Sequence, residues 1–343
     1  MNVLALFDGH SGGQTALSVM GITPTKYYAS EIDKYAIQAT MAVFPNTIQM
    51  GSVTEWRTWD INWTGIDLFI GGSPCQGFSM AGKMAGTTAM FNGDKVVVDT
   101  REKYLELKLA GAEFLSQSYL FWEYILCLDH VKKCNPKVKF FLENVKMKKE
   151  FLDLISNAIG VEPVFINSAL VSAQNRQRYY WCNWGVTQPE DKGIVLADIL
   201  EEVEFSQSGG NLEPKVLIQE AKDKPIRLHN IKCGGQGNRI YSKSGKSISL
   251  SSQSGGAAGP GNLLIEQEEC IRNVHYRKLT PRECGRLQTI PEPILDILLT
   301  SGISNSQLYK MFGNGWTIDV IAHIFSTMDL PIQVFARQQE MDI

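Results

Sequence analysis

The chain has 343 residues, 44% hydrophobic and 20% charged, with a formal net charge of −3, enough for one large globular core or two modest ones. No apolar run is long enough to cross a bilayer, and the N-terminus lacks the basic and apolar regions of a secretory signal. Seven scattered cysteines without a Cys-x-x-Cys pair argue against a disulfide framework, so the expected compartment is the cytoplasm.

In chain order, Val3–Phe7 is a short apolar run that ends in a Gly-rich turn, and Gly12–Met20 carries a helical pattern. Lys26–Ile32 reads as a second strand, Asp33–Val43 as a helix and Ile48–Val53 as a third strand. Asp67–Ser73 and Phe140–Val145 are further apolar runs. Strands alternating with helices predict α/β architecture, a mostly parallel sheet with helices on both faces, and continuous apolar strands fit burial on both sides. Met84–Gln117 breaks the pattern. It is polar, lacks a clear period and reads as a long mobile loop with one helical piece. Tyr119–Val131 is a helix. On it Cys127, His130 and Cys134 share a face, but no fourth ligand is in view, and a buried face without a metal is expected.

After Leu200 the composition changes. Phe205–Asn262 is rich in Gly, Ser and Lys, with Gly209-Gly210, Gly234-Gly235, Gly255-Gly256 and Gly259-Pro260-Gly261 as turn signals. It holds eight Lys/Arg against three Asp/Glu, so +5 sits there and −8 elsewhere. A local basic segment can bind phosphates from an otherwise acidic body. From Lys278 onward helical patterns return.

The residues that could carry chemistry sit at strand ends. Phe7-Asp8-Gly9-His10-Ser11-Gly12-Gly13 follows the first strand and precedes a helix N-terminus, and Glu31 ends the second strand. That pairing suits a nucleoside-containing ligand: glycines let the ligand approach the backbone, and the carboxylate takes a ribose hydroxyl. Pro74-Cys75-Gln76 follows the fourth run, where a stiffened turn would present a thiol. Glu143-Asn144-Val145 ends the fifth and would sit beside Cys75 if the two strands are neighbours. Arg176 and Arg178 alternate on one strand and point to one side, able to hold phosphate, carboxylate or a base carbonyl. Gly313-Asn314-Gly315-Trp316 precedes a last helix. Each signal alone also fits an ordinary turn or edge.

Taken together and in this order, these motifs resemble the DNA cytosine-C5 methyltransferase family, and Lys278–Cys284 resembles the segment before the last motif. The opening motif looks closest to the de novo type. The resemblance implies a Rossmann-like S-adenosylmethionine-dependent methyltransferase fold, with a catalytic part at 1–203, a small target-recognition part at 204–276 and a return to the catalytic part at 277–343. It implies that Cys75 attacks C6 of a flipped-out cytosine in double-stranded DNA, that Glu143 holds or protonates N3, that Arg178 holds the base carbonyl and that Arg176 positions Cys75 or Glu143. S-adenosylmethionine would be lined by Phe7, Gly9, Gly13, Glu31, Ile32, Ser52, Val53, Pro74, Leu120 and Asn314. Gln76, Ser79, Arg239, Lys243, Lys246 and Gln253 would contact DNA, and Met80–Gln117 would include a closing loop. The sequence departs from the family pattern at Ser52, where an acidic residue is usual, at His10 and Ser11, and at Gly315, where Ser is usual. A tRNA cytosine substrate and a non-catalytic binding module remain alternatives. Restriction protection, phage self-modification and regulation would all use the same site.

Overall fold

The computed structural model describes residues 1–74, 77–78, 87–202, 207–209, 224–230, 239–251, 263–265 and 274–328. Its central sheet is built from β1 (Asn2–Leu6), β2 (Lys26–Ser30), β3 (Ile48–Gln49), β4 (Leu68–Gly71), β8 (Lys139–Val145), β9 (Pro163–Asn167) and β11 (Gln177–Cys182). The spatial order is β3-β2-β1-β4-β8-β11-β9. The first five are parallel, whereas β11 runs antiparallel to both of its neighbours. This is the expected mostly parallel, Rossmann-like sheet with one reversed strand near its edge.

The strands alternate between two cores. Val3, Ala5, Leu68, Ile70 and Phe141 face one side, where α1 (Gly12–Val19), α2 (Lys34–Val43), α6 (Pro281–Leu287), α7 (Glu292–Thr300), α8 (Asn305–Asn314) and α9 (Ile318–Ser326) pack. Leu4, Leu6, Phe69, Phe140 and Leu142 face the other, against α3 (Arg101–Leu109), α4 (Leu120–Cys134) and α5 (Lys149–Ile159). Period-two side-chain alternation with both faces covered is why these runs are apolar throughout. Among the described residues no helix is long and apolar enough to cross a membrane.

Two expectations change. The strand predicted over Ile48–Val53 is only two residues long, because Gly51 turns the chain at φ 73°. Ser52 then caps a 3-10 turn over Val53–Thr58 through its hydroxyl. The supposed mobile loop is folded over residues 87–117. β5 (Thr88–Phe91) pairs with β6 (Asp94–Val97) and with β7 (Glu113–Phe114). Asn92 and Gly93, both at positive φ, make the hairpin turn. Thr100 caps α3, which buries only Tyr104 and Leu107, so its sequence shows little helical period. Tyr104 donates to Glu123 on α4 at 2.6 Å and Lys108 reaches the same carboxylate, which ties the insertion to the main body.

The basic, turn-rich segment contributes most of a five-stranded sheet in the order β12 (Gln207–Gly209), β17 (Val274–Lys278), β16 (Leu263–Ile265), β14 (Arg239–Tyr241), β13 (Arg227–Asn230). One piece of it returns to the main body: β15 (Ser247–Ile248) pairs with β10 (Gln174–Asn175), and Leu250 joins the first core. The exit is pinned by a buried pair, with Arg277 bonded to Glu283 at 2.6 and 2.8 Å, and Glu283 also closes the Thr280 capping box of α6.

Candidate active site

The carboxyl ends of β1, β2, β4 and β8 lie side by side, where open α/β sheets bind ligands. Phe7, Gly9 and Ser11 have φ of 57°, 58° and 64°, and Asp8 and His10 between them do not. Within the loop the Asp8 N–H donates to the Ser30 carbonyl at 3.2 Å and the Ser11 N–H to the Asp8 carbonyl at 3.0 Å, which fixes its shape. Left-handed Phe7 and Ser11 cost about 1–3 kcal/mol each, strain of a kind found at ligand sites.

Glu31 stands across this loop. Its carboxylate accepts from Gly9 N–H at 2.8 Å, Ile32 N–H at 2.7 Å and Asp33 N–H at 2.9 Å. A carboxylate offers about four acceptor positions, so one is left for a ligand hydroxyl. Beside it Ile32 leaves 69% of its surface open, an apolar face suited to a purine ring. Ser52 sits at the cap of the following turn with its hydroxyl 2.8 Å from that of Thr54, and Val53 is buried. Leu120 opens α4 and Asn314 closes α8, where it is exposed. Gly13 lies buried in the first turn of α1, and Pro74 continues from β4. These residues fit a nucleoside with a charged amino-acid tail, such as S-adenosylmethionine.

The strands carrying the chemistry are neighbours. β4 and β8 pair in parallel with Gly71 opposite Leu142, so Gly72 and Glu143 extend from adjacent strands. Asn144 donates its side-chain amide to the Ser73 carbonyl at 3.3 Å and hydroxyl at 3.1 Å. Gly77 N–H bonds the buried Ser118 hydroxyl at 2.7 Å, and Phe78 packs on Phe151. The chain is therefore clamped on both sides of Cys75. Cys75 itself, together with Gln76, Ser79 and Gln253, lies outside the described residues.

Glu143 is nearly buried, at 9% exposed. Arg178 Nε lies 2.8 Å from one of its oxygens, and Trp316 Nε1 donates to the other at 3.2 Å. Arg176 donates to the carbonyls of Leu250 at 3.1 Å, Gly313 at 3.2 Å and Gly315 at 2.8 Å and to the Ser249 hydroxyl at 3.4 Å. It joins the returning segment to the loop before α9. Gln288 and Thr317 support the same loop, with Thr317 donating to Gln288 at 2.9 Å and accepting from Ser168 at 2.9 Å.

Two departures noted in the sequence explain each other. His10 is 5% exposed, and a Cβ placed on Gly315 would lie 2.3 Å from its Nε2. Gly315 therefore makes room for the imidazole. Burial pushes His10 down to about 4, so the ring is neutral. Burial likewise pushes Asp8 up to about 7, although Tyr27 donates to it at 2.7 Å. Among the described residues, His10 Nε2 and Asp8 Oδ2 have no hydrogen-bond partner.

One expected DNA contact is corrected. Lys246 is 1% exposed, and its ammonium bonds the carbonyls of Ala169 at 2.7 Å, Ser172 at 3.1 Å and Ile194. It closes backbone ends inside the protein and cannot reach a phosphate. Lys243 is half-buried in a turn whose backbone carbonyl accepts from Ala197 N–H at 2.9 Å. The backbone of Arg239 lies in β14. Sequence alone gives no role to Trp316, at the end of the Gly313–Trp316 turn, or to Gly72, in the run Asp67–Ser73. The sign available was an aromatic residue directly after the Gly-Asn-Gly turn.

The C-5 cytosine-specific DNA methylase family model matches residues 1–96 and 172–329. The type II methyltransferase M.HhaI of Haemophilus parahaemolyticus is 28% identical over 354 residues, which covers 94% of this chain and 93% of the relative. The orphan methyltransferase M.SPBetaI of Bacillus phage SPbeta is 26% identical over 436 residues, covering 96% of this chain and 97% of the relative. The crystal structure of the S. pombe Dnmt2 methyltransferase superimposes with a TM-score of 0.60 at 16% identity, covering 95% of this chain and 97% of that one, a likeness of fold.

Proposed function

Because the chain belongs to the C-5 cytosine-specific DNA methylase family and is a DNA cytosine-5 methyltransferase, we propose that Cys75 is its nucleophile and that Glu143 and Arg178 hold the target base in double-stranded DNA. The observation that carries this reading is the Glu143–Arg178 pair at the end of β8, directly beside the strand that leads into Pro74-Cys75.

A stacked cytosine hides its ring edges, so the base must leave the duplex to meet this site. Glu143 gives or shares a proton with N3 and so draws electron density from the ring, while Arg178 holds the carbonyl oxygen. The Cys75 thiolate then adds to C6, and C5 becomes nucleophilic. The Phe7–Gly13 loop, Glu31 and Ile32 would hold S-adenosylmethionine, which would supply the methyl group taken by C5. Loss of the C5 proton to a base expels the Cys75 thiolate and restores the aromatic ring. Arg176 acts one step away, fixing the Gly313–Gly315 loop against the returning recognition segment. Arg239 and Lys243, with Gln76, Ser79 and Gln253, are the proposed DNA contacts.

The test is covalent trapping. Duplex DNA carrying 5-fluorocytosine in many sequence contexts is incubated with protein and S-adenosylmethionine, then run on a denaturing gel. The expected result is a shifted band that needs both Cys75 and the cofactor, and sequencing the trapped DNA gives the target. A folded protein that binds S-adenosylmethionine but traps no DNA, while methylating tRNA, overturns the DNA reading.

A further inference from the structure

Glu143 must face the base with a fixed orientation, and Arg178 controls only one of its oxygens. The other is held by Trp316. The indole occupies a slot that the glycines of two separate motifs leave open. A Cβ on Gly72 would stand 2.9 Å from Trp316 Nε1 and 3.2 Å from Glu143 Oε2, so only glycine allows the indole and the carboxylate to meet there. The far edge of the ring runs past Gly12 and Gly13, where a Cβ would touch it at 3.6 and 3.5 Å. Phe141 meets the ring edge-on at 5.2 Å.

The contacts to Gly12, Gly13 and Phe141 are made by the ring carbons. The N–H is the part that these ring contacts do not use, and a buried indole N–H usually finds an acceptor. Here the acceptor is the carboxylate that faces the base. We propose that Trp316 is a positioning residue: its ring is anchored on the glycine loop of the cofactor side, and its N–H fixes the Glu143 carboxylate for the flipped cytosine. Glu143 keeps an acceptor position for the exocyclic amine of the base, and N3, itself an acceptor, is met through a proton carried by the carboxyl group. The proposal rests on the reading of Glu143 as the base-holding group.

The experiment uses the full chain with Trp316→Phe, which keeps an aromatic ring in the slot but is smaller and lacks the donor. Folding and S-adenosylmethionine affinity are expected to stay within about twofold, while single-turnover methyl transfer falls about tenfold to a hundredfold, as for loss of a hydrogen bond to a charged group. A second readout needs no turnover. Affinity for a duplex with cytosine at the target is expected to fall severalfold, whereas affinity for the same duplex abasic at that position is unchanged. Equal losses on both duplexes, a loss confined to cofactor affinity, or no change in rate overturns the positioning role. A wild-type protein that traps no 5-fluorocytosine duplex overturns the reading of Glu143 and this proposal with it. A wild-type protein that traps, beside a Trp316→Phe variant indistinguishable from it, overturns this proposal alone.

Discussion

Two glutamates on neighbouring elements invite comparison. Glu123 on α4 is fully buried and receives Trp56 at 2.9 Å, Arg57 at 3.1 Å, Tyr104 at 2.6 Å and Lys108. Burial alone would raise its pKa, but the bonds from Lys108 and Tyr104 outweigh that and hold it below the usual carboxylate range. Glu143 on β8 also has an arginine and a tryptophan, its two partners among the described residues, and it keeps 9% of its surface open. The chemistry of the side chain is the same in both. A carboxylate saturated by its own protein is a structural joint. One held at two points, with acceptor capacity left toward a strand-end cleft, is available to a substrate.

The largest expected effect sharpens this contrast. Glu143→Ala should lower methyl transfer by between about a hundredfold and ten-thousandfold and cost less stability than Glu123→Ala, because it strips the partner from two groups rather than four. Glu123→Ala should do the reverse. It leaves Arg57, Lys108 and the Trp56 and Tyr104 donors facing a void, at a cost of about 3–5 kcal/mol, while the fraction that stays folded keeps its rate per molecule. Thermal melts and single-turnover rates on both variants decide the matter. A Glu123 variant that melts normally yet is catalytically dead would break the comparison.

Next in size is the matched pair at the cofactor edge. Gly315→Ala drives a methyl group into His10 and should cost about 1–3 kcal/mol, with weaker S-adenosylmethionine binding. Combining it with His10→Ala should recover the part of that loss due to the imidazole, leaving the tight approach to the Met311 carbonyl at 3.1 Å. Calorimetric titration of the cofactor and melts of the single and double variants test this. Simple additivity of the two changes would show that the residues do not act as a pair.

The buried ammonium of Lys246 gives a smaller, more selective outcome. Lys246→Met should destabilise the fold by about 1–3 kcal/mol, because three carbonyls lose their donor. It should leave the salt dependence of DNA binding unchanged, since the slope counts neutralised phosphates. A slope reduced by about one unit would return Lys246 to the DNA surface.

Much of this was legible in the sequence because both periodicities and strand-end chemistry are local. β1, β2, β4 and β8 announce themselves as apolar runs, and Glu31, Glu143 and the glycine loops sit where such runs stop. What stayed hidden depends on distant contacts. Arg176 reads as part of the catalytic group, yet its described contacts go to carbonyls some 70 and 140 positions away. Lys246 reads as a surface cation because nothing nearby in sequence shows the carbonyls of Ala169 and Ser172 closing over it. The insertion around α3 has two buried side chains and no clear stripe, so its order comes from Glu123. Its Asn92-Gly93 turn, however, is a local hairpin signal that could have been read.

The smallest expected effect is the net pH dependence of the glycine loop, because two buried groups oppose each other. Asp8 is raised from 3.8 to about 7, so the folded state binds the extra proton between these values and stability falls as pH rises through that window. His10 is lowered from 6.5 to about 4, so the unfolded state binds the extra proton and stability rises with pH from about 4 to 6.5. Over the shared range the slopes cancel, and the wild type should melt at nearly constant temperature. Asp8→Asn should uncover the rise from His10, and His10→Gln should uncover the fall from Asp8, in melts taken between pH 4.5 and 7. Glu123 makes the contrasting case: its depressed carboxyl gives stability that is present above 4.5 and lost as the pH falls below it. Acid should therefore loosen the joint at α3 and α4 while Asp8 gains stability in the cofactor loop. An Asp8→Asn protein as flat as the wild type would show that the loop carboxylate does not titrate in this range.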